Sequence, residues 1–169
     1  MILLNDINTI VMLSKFVEHG RCIGVRYWPG LYSSYTYTTG TCNVGSAFAD
    51  NDSEGESEEY VKRQITVTNV YEQVNSMYGT VTRYFWVGLK IGEMCYKGVL
   101  CKHIQYTGWP DGGIPTNPNV IKYLIRLIDN NQKNVFIHCL AGIGRSGVLA
   151  ALVWAFQHRS SAKMALFKI

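Results

Sequence analysis

The chain has 169 residues, 47% hydrophobic and 17% charged, which is enough for one domain with a buried core and unlike a disordered chain. No apolar run is long enough to cross a bilayer, and Met1-Ile2-Leu3-Leu4 lacks the basic start and long apolar centre of a signal peptide, so a soluble, cytoplasmic protein is expected. The net charge of +4 hides a division, because Asp50, Asp52, Glu54, Glu56, Glu58 and Glu59 hold six of the 12 acids in a stretch free of Lys and Arg, leaving +10 on the rest. A basic body attracts anionic partners, phosphorylated protein among them; its Lys and Arg are scattered, without a basic run or a binding motif, so no nucleic acid and no membrane partner is expected.

In chain order, residues 7–13 read as a buried strand interrupted by Thr9, and residues 14–20 as the turn that leaves it. Tyr27-Trp28-Pro29-Gly30 closes that segment in a packing turn, Pro holding its predecessor extended. Residues 35–39 have strand composition, and residues 40–59, polar and acidic, read as an exposed loop. Three antiparallel strands follow at about 61–74, 78–89 and 98–107, with breaks near 75–79 and 88–98.

Trp109-Pro110-Asp111-Gly112-Gly113 is a loop by its Gly and Pro content, in which Asp111 has the default reading of a turn aspartate. Asn117 or its neighbour caps the next helix, with Pro118 in its first turn, Val120, Ile121, Leu124, Ile125, Leu127 and Ile128 on its apolar side, and Asn130 and Asn131 at its end. The short apolar run 135–138 is a further strand, and residues 146–158 form a buried helix.

Between these last two elements lies His138-Cys139-Leu140-Ala141-Gly142-Ile143-Gly144-Arg145-Ser146. Gly142 and Gly144 let the backbone curl so that successive N–H groups converge at the N-terminus of the helix, an anion site. A thiol enters the loop and a planar cation leaves it, which fits nucleophilic attack on a phosphate ester. A cysteine at a strand end is by default a small buried hydrophobe, and that is the reading for Cys22, Cys42, Cys95 and Cys101. The five cysteines are odd in number and lack paired spacing, so neither a disulfide framework nor a metal site is indicated.

Taken together, the 138–146 loop, Trp109-Pro110-Asp111, and the run Ile10-Val11-Met12-Leu13, Val17-Glu18, Tyr27-Trp28-Pro29 resemble the cysteine-dependent protein tyrosine phosphatases of the tyrosine-directed branch. The resemblance implies an α/β fold: a central, twisted, mixed sheet flanked by helices 118–130 and 146–158, with the acid and signature loops opening at one edge. It implies hydrolysis of phosphotyrosine in protein substrates through a phosphocysteine, without metal or cofactor. Cys139 would attack phosphorus, Arg145 and the amides of Leu140, Ala141, Gly142, Ile143, Gly144 and Arg145 would bind the phosphoryl oxygens, and Asp111 would serve as acid and then base. Ser146 would donate to the leaving thiolate, His138 would hold the loop through its ring nitrogens, Glu18 would grip Arg145, and Trp109 would carry the acid loop. One departure is Ile23, where the family has a lysine that meets the acid loop.

The resemblance covers nearly the whole chain, while the family domain extends further at both ends, with a phosphotyrosine-stacking loop before and a water-positioning glutamine loop after. The expectation is a partial domain, similar in its compactness to the phosphatases carried by bracoviruses of parasitoid wasps, poorly soluble and weakly active unless extended. Two alternatives stand beside it. One is a dual-specificity phosphatase, disfavoured by Trp-Pro-Asp and Tyr-Trp-Pro; the other is an impaired fragment that binds phosphotyrosine or another protein without turnover.

Overall fold

The computed structural model describes residues 1–18, 20–43 and 60–158. It holds β1 (Ile7–Met12), β2 (Val17–Glu18), β3 (Arg21–Cys22), β4 (Ser34–Asn43), β5 (Tyr60–Asn75), β6 (Thr80–Ile91), β7 (Met94–Tyr106), α1 (Pro118–Asp129), β8 (Asn134–His138) and α2 (Arg145–Gln157). Six strands form one sheet in the order β4-β5-β6-β7-β1-β8, and β2 and β3 form a small separate hairpin. The sheet is mixed as expected: β4 to β7 pair antiparallel, whereas β1 is parallel to both β7 and β8.

That order decides where the site can be. Three parallel neighbours, β7, β1 and β8, run out of the sheet at the same end, and each is followed by a loop that the sequence marks as chemical: 107–117, 13–22 and 139–144. In open α/β sheets the crevice beyond the carboxyl ends of parallel strands is where ligands bind. Elements distant in sequence are thereby brought to one edge.

Alternation along the central strands sorts side chains to two faces. On one face Val11, Ile104, Tyr106 and Ile137 meet Val120, Ile121, Leu124 and Ile128 of α1 and Leu149 and Val153 of α2. On the other, Ile10, Met12, Phe85, Val87 and Cys101 pack about Trp28, which is 1% exposed. The Tyr-Trp-Pro segment therefore does pack, as the centre of a second core. Helix α1 starts where expected: the Asn117 side chain accepts from the Asn119 N–H at 3.0 Å, and Pro118 occupies the first turn. Helix α2 buries two sides, Leu149 and Val153 on one and Ala151 and Ala155 on another, which explains an apolar sequence with little amphipathic contrast.

The strand boundaries need correction. The break expected over 88–98 narrows to residues 92–93: β6 continues to Ile91, β7 begins at Met94, and Gly88 and Gly98 face each other across the ladder. A Cβ on Gly98 would overlap the Trp86 ring, so this glycine marks a side chain laid across the strand rather than a turn. The turn before β6 falls within the expected break, with β5 reaching Asn75 and β6 starting at Thr80. Strand β4 extends to Asn43, so 40–43 belong to the sheet; the rest of the expected acidic loop, 44–59, lies outside the described residues, as does 159–169.

Candidate active site

The strand β8 delivers Cys139 at the sheet end and α2 receives the chain at Arg145, leaving five residues to turn between them. Gly142 adopts φ +79°, the left-handed conformation that only glycine reaches without strain. Leu140 and Ile143 turn their side chains out, with Ile143 88% exposed. Inside the turn, the amides of Ser146, Gly142 and Gly144 donate to the Cys139 sulfur, and the Ser146 hydroxyl lies 3.4 Å from it.

This setting fixes the thiol's character. Burial raises its pKa, but the hydrogen bonds from the Ser146 hydroxyl and from the amides of Ser146, Gly142 and Gly144 outweigh burial and bring it from an ordinary 9.0 to about 7. A thiolate is the nucleophilic form, so alkylation of Cys139 by iodoacetamide is expected to rise with pH to a midpoint near 7, and Ser146→Ala to move that midpoint upward. A midpoint at the ordinary value in the parent chain would contradict this.

Arg145 is 3% exposed, and its guanidinium is held from one side. Nη1 donates to Glu18 Oε1 at 2.7 Å and to the Trp109 carbonyl at 2.8 Å. Nε and Nη2, buried, make no hydrogen bond among the described residues. Together they form one edge of the planar fork, the geometry that grips two oxygens of a carboxylate or phosphate. Asp111 lies at the same edge: Oδ1 is 3.3 Å from Nη2, within ion-pair distance though not aligned as a hydrogen bond, and its side chain is 64% exposed. Asp111 and Cys139 thus share one mouth of the sheet, bridged by Arg145.

Glu18 comes from the β2–β3 hairpin, far in sequence from its partner. Burial raises its pKa, yet the hydrogen bond and charge of Arg145, with backbone N–H groups of Asp111 and Lys15, lower it below the ordinary 4.5. A depressed carboxyl contributes stability that is complete above 4.5 and is lost as pH falls through the lowered value. Glu18→Gln is therefore expected to reduce the urea midpoint at pH 7, with the difference from the parent vanishing in acid; a constant difference across that range would contradict the pairing.

The acid loop is braced by itself. Trp109 is 5% exposed and donates its indole N–H to the Gly113 carbonyl at 3.0 Å, while the Thr116 N–H and hydroxyl both donate to the Gly108 carbonyl, at 2.8 and 2.9 Å. Gly108 is required there, since a Cβ would sit 2.6 Å from the Tyr106 hydroxyl and 2.7 Å from the Thr116 hydroxyl. Anchored by its tryptophan in the helix-side core, the loop offers its carbonyl to Arg145 and leaves Asp111 at the rim.

His138 uses both ring nitrogens: Nδ1 is 3.0 Å from the Cys139 carbonyl oxygen and Nε2 is 2.8 Å from the Tyr27 hydroxyl. The second contact gives Tyr27 a role beyond packing. Tyr27 also reaches His103 Nε2 at 3.0 Å, a residue that sequence reading passed over; a histidine at an inward position of an apolar strand was the one available signal. Ile23 makes no contact with the acid loop among those seen, its N–H donating to Phe16.

A thiol of lowered pKa at the amide-lined turn, a guanidinium held along one side and an exposed carboxyl thus stand at one mouth of the sheet. The family model of protein-tyrosine phosphatase matches residues 1–169, and the chain belongs to that family. Human receptor-type tyrosine-protein phosphatase alpha is 26% identical over 149 residues, covering 85% of this chain and 15% of that protein. Among solved structures, the protein tyrosine phosphatase of Trypanosoma cruzi superposes with a TM-score of 0.65 at 25% identity, over 92% of this chain and 47% of that one. PTPN18, solved in complex with HER2 phospho-peptides, superposes at 0.63 with 19% identity, over 95% of this chain and 50% of its own. The chain spans about half the length of the solved phosphatases it matches.

Proposed function

We propose that this chain hydrolyses phosphotyrosine in protein substrates through a phosphocysteine on Cys139. The observation that carries the reading is the pairing of a thiol at about 7 with a buried guanidinium whose Nε and Nη2 make no hydrogen bond among the described residues, in one loop. The Cys139 thiolate attacks phosphorus while Nε and Nη2 of Arg145 and the amides of residues 140–145 hold the non-bridging oxygens. The P–O bond to the tyrosine ring breaks, its electron pair leaves on the phenol oxygen, and protonated Asp111 supplies the proton. Water then attacks the thiophosphate and gives its proton to the Asp111 carboxylate. The S–P bond breaks, and the Ser146 hydroxyl donates to the returning thiolate.

Support for phosphotyrosine in particular is the family match and PTPN18's likeness to this chain, that protein having been solved with phospho-peptides. The basic body of the chain adds long-range attraction for such substrates. A thiolate nucleophile survives where thiols are kept reduced, which is the basis for expecting a cytoplasmic setting. The test is steady-state release of phosphate from paired phosphotyrosine and phosphoserine peptides. Turnover on the first alone is expected; equal rates on both would reassign the protein to a dual-specificity enzyme. A burst of one phenolate per chain without further turnover would instead mark an arrested, binding form.

A further inference from the structure

His103 is fully buried at the centre of the sheet, paired across the ladder with Ile10, and the chemistry above makes no use of it. Its Nε2 is 3.0 Å from the Tyr27 hydroxyl, that hydroxyl is 2.8 Å from Nε2 of His138, and Nδ1 of His138 is 3.0 Å from the Cys139 carbonyl oxygen. We infer that these groups form a hydrogen-bond chain of fixed polarity, from His103 through Tyr27 and His138 to the Cys139 carbonyl, and that His103 is thereby a positioning residue for the anion loop. The contacts of the chain are geometric; only the identity of the anion rests on the proposed function.

The polarity follows from counting protons. A carbonyl oxygen only accepts, so Nδ1 of His138 carries a hydrogen. Burial lowers the pKa of this ring against the opposing effect of the Cys139 carbonyl, which leaves it neutral and its Nε2 a bare lone pair. Nε2 therefore accepts from the Tyr27 O–H. That phenol stays protonated, because burial raises its pKa. Having given its one proton to His138, Tyr27 can only accept from His103, whose hydrogen must sit on Nε2.

The surroundings agree with a neutral His103. Around it stand Arg83, Cys101, Tyr27 and His138. Burial first, and then the charge of Arg83, push His103 down to about 3, and burial pushes the Cys101 thiol up to about 11. Arg83 is the one charged member, committed to Glu72 at 2.7 Å and Gln105 at 3.1 Å, its guanidinium 4.7 Å from the Trp28 ring centre. Nδ1 of His103 is buried without a hydrogen-bond partner among the described residues, which is tolerable for a bare lone pair and costly for an N–H.

The chain's purpose lies in its last link. The Cys139 carbonyl shares a planar trans peptide with the Leu140 N–H, and the two point in opposite directions. Tying the carbonyl to His138 on the Trp28 side aims the Leu140 amide away from it. A buried histidine three links distant thus sets the direction of the first amide of the cradle.

Nitrogen-15 NMR of the histidine side chains in the full 169-residue chain at pH 7 tests this directly. The expected result is two neutral rings, His138 protonated on Nδ1 and His103 on Nε2. An imidazolium at His138, or its proton on Nε2, would run the chain backwards and overturn the inference. In a second arm, His103→Leu removes the donor to Tyr27 and His103→Gln supplies an amide N–H in its place. The Leu variant should shift the His138 ring and Leu140 amide signals and weaken inorganic phosphate binding by about threefold or more, with the Gln variant within about twofold of the parent. Unmoved His138 signals in His103→Leu would overturn the proposal; where that variant does not fold, Tyr27→Phe cuts the same chain and is read the same way. The tautomers are measured without phosphate, so a parent that binds none would fail the proposed function and leave this result standing.

Discussion

Cys139→Ser is expected to abolish phosphotyrosine turnover while leaving phosphopeptide binding in place. The sulfur is the only group in the loop with a pKa brought to about 7, whereas a serine hydroxyl at the same point remains protonated near neutral pH. Nothing else in the anion cradle changes: the amides of 142, 144 and 146 belong to the backbone turn, and the Nε–Nη2 edge of Arg145 is set by the Glu18 and Trp109 contacts of Nη1. Calorimetric titration with a phosphotyrosine peptide should therefore give binding of ordinary strength in a protein with no detectable release of phosphate. Retained turnover within about tenfold of the parent would remove Cys139 from the chemistry altogether.

Asp111→Ala carries the second large effect, a loss of roughly 10² to 10⁴ in kcat on a phosphotyrosine peptide, the usual worth of a general acid. The loss should be much smaller on an aryl phosphate whose phenolate leaves without a proton, because the acid's contribution is to the leaving oxygen. Binding should move the other way. The Asp111 carboxylate stands 3.3 Å from Nη2 of Arg145, where it competes with the dianion for the same cation, so its removal is expected to lower KM as kcat falls. A kcat unchanged on the peptide would mean that the proton comes from elsewhere, and a raised KM would mean that Asp111 binds substrate rather than serving it.

The sequence by itself determined the local pieces. The helix α1 was legible from Asn117 and Pro118 and from the spacing of Val120, Ile121, Leu124 and Ile128, because capping and periodicity act within a few residues. The signature loop was legible because Gly142 and Gly144, between a thiol and an arginine, state a backbone requirement and a chemistry at once. Misreadings arose where a glycine answered to a neighbour across the sheet: Gly98 accommodates Trp86, and that contact has no trace in the order of residues around it.

The assembly of the site was decided by tertiary structure alone. Glu18 by its own surroundings in the chain is a solvated loop charge, and its place on Arg145 was suggested by resemblance; the parallel pairing of β1 with β7 and β8 puts it there. The same pairing sets His103 opposite Ile10 and His138 opposite Met12, so that Tyr27 can span both rings. Hydrogen bonds of this kind join residues 76 and 111 positions apart, and their formation depends on strand register, which no local pattern of side chains encodes.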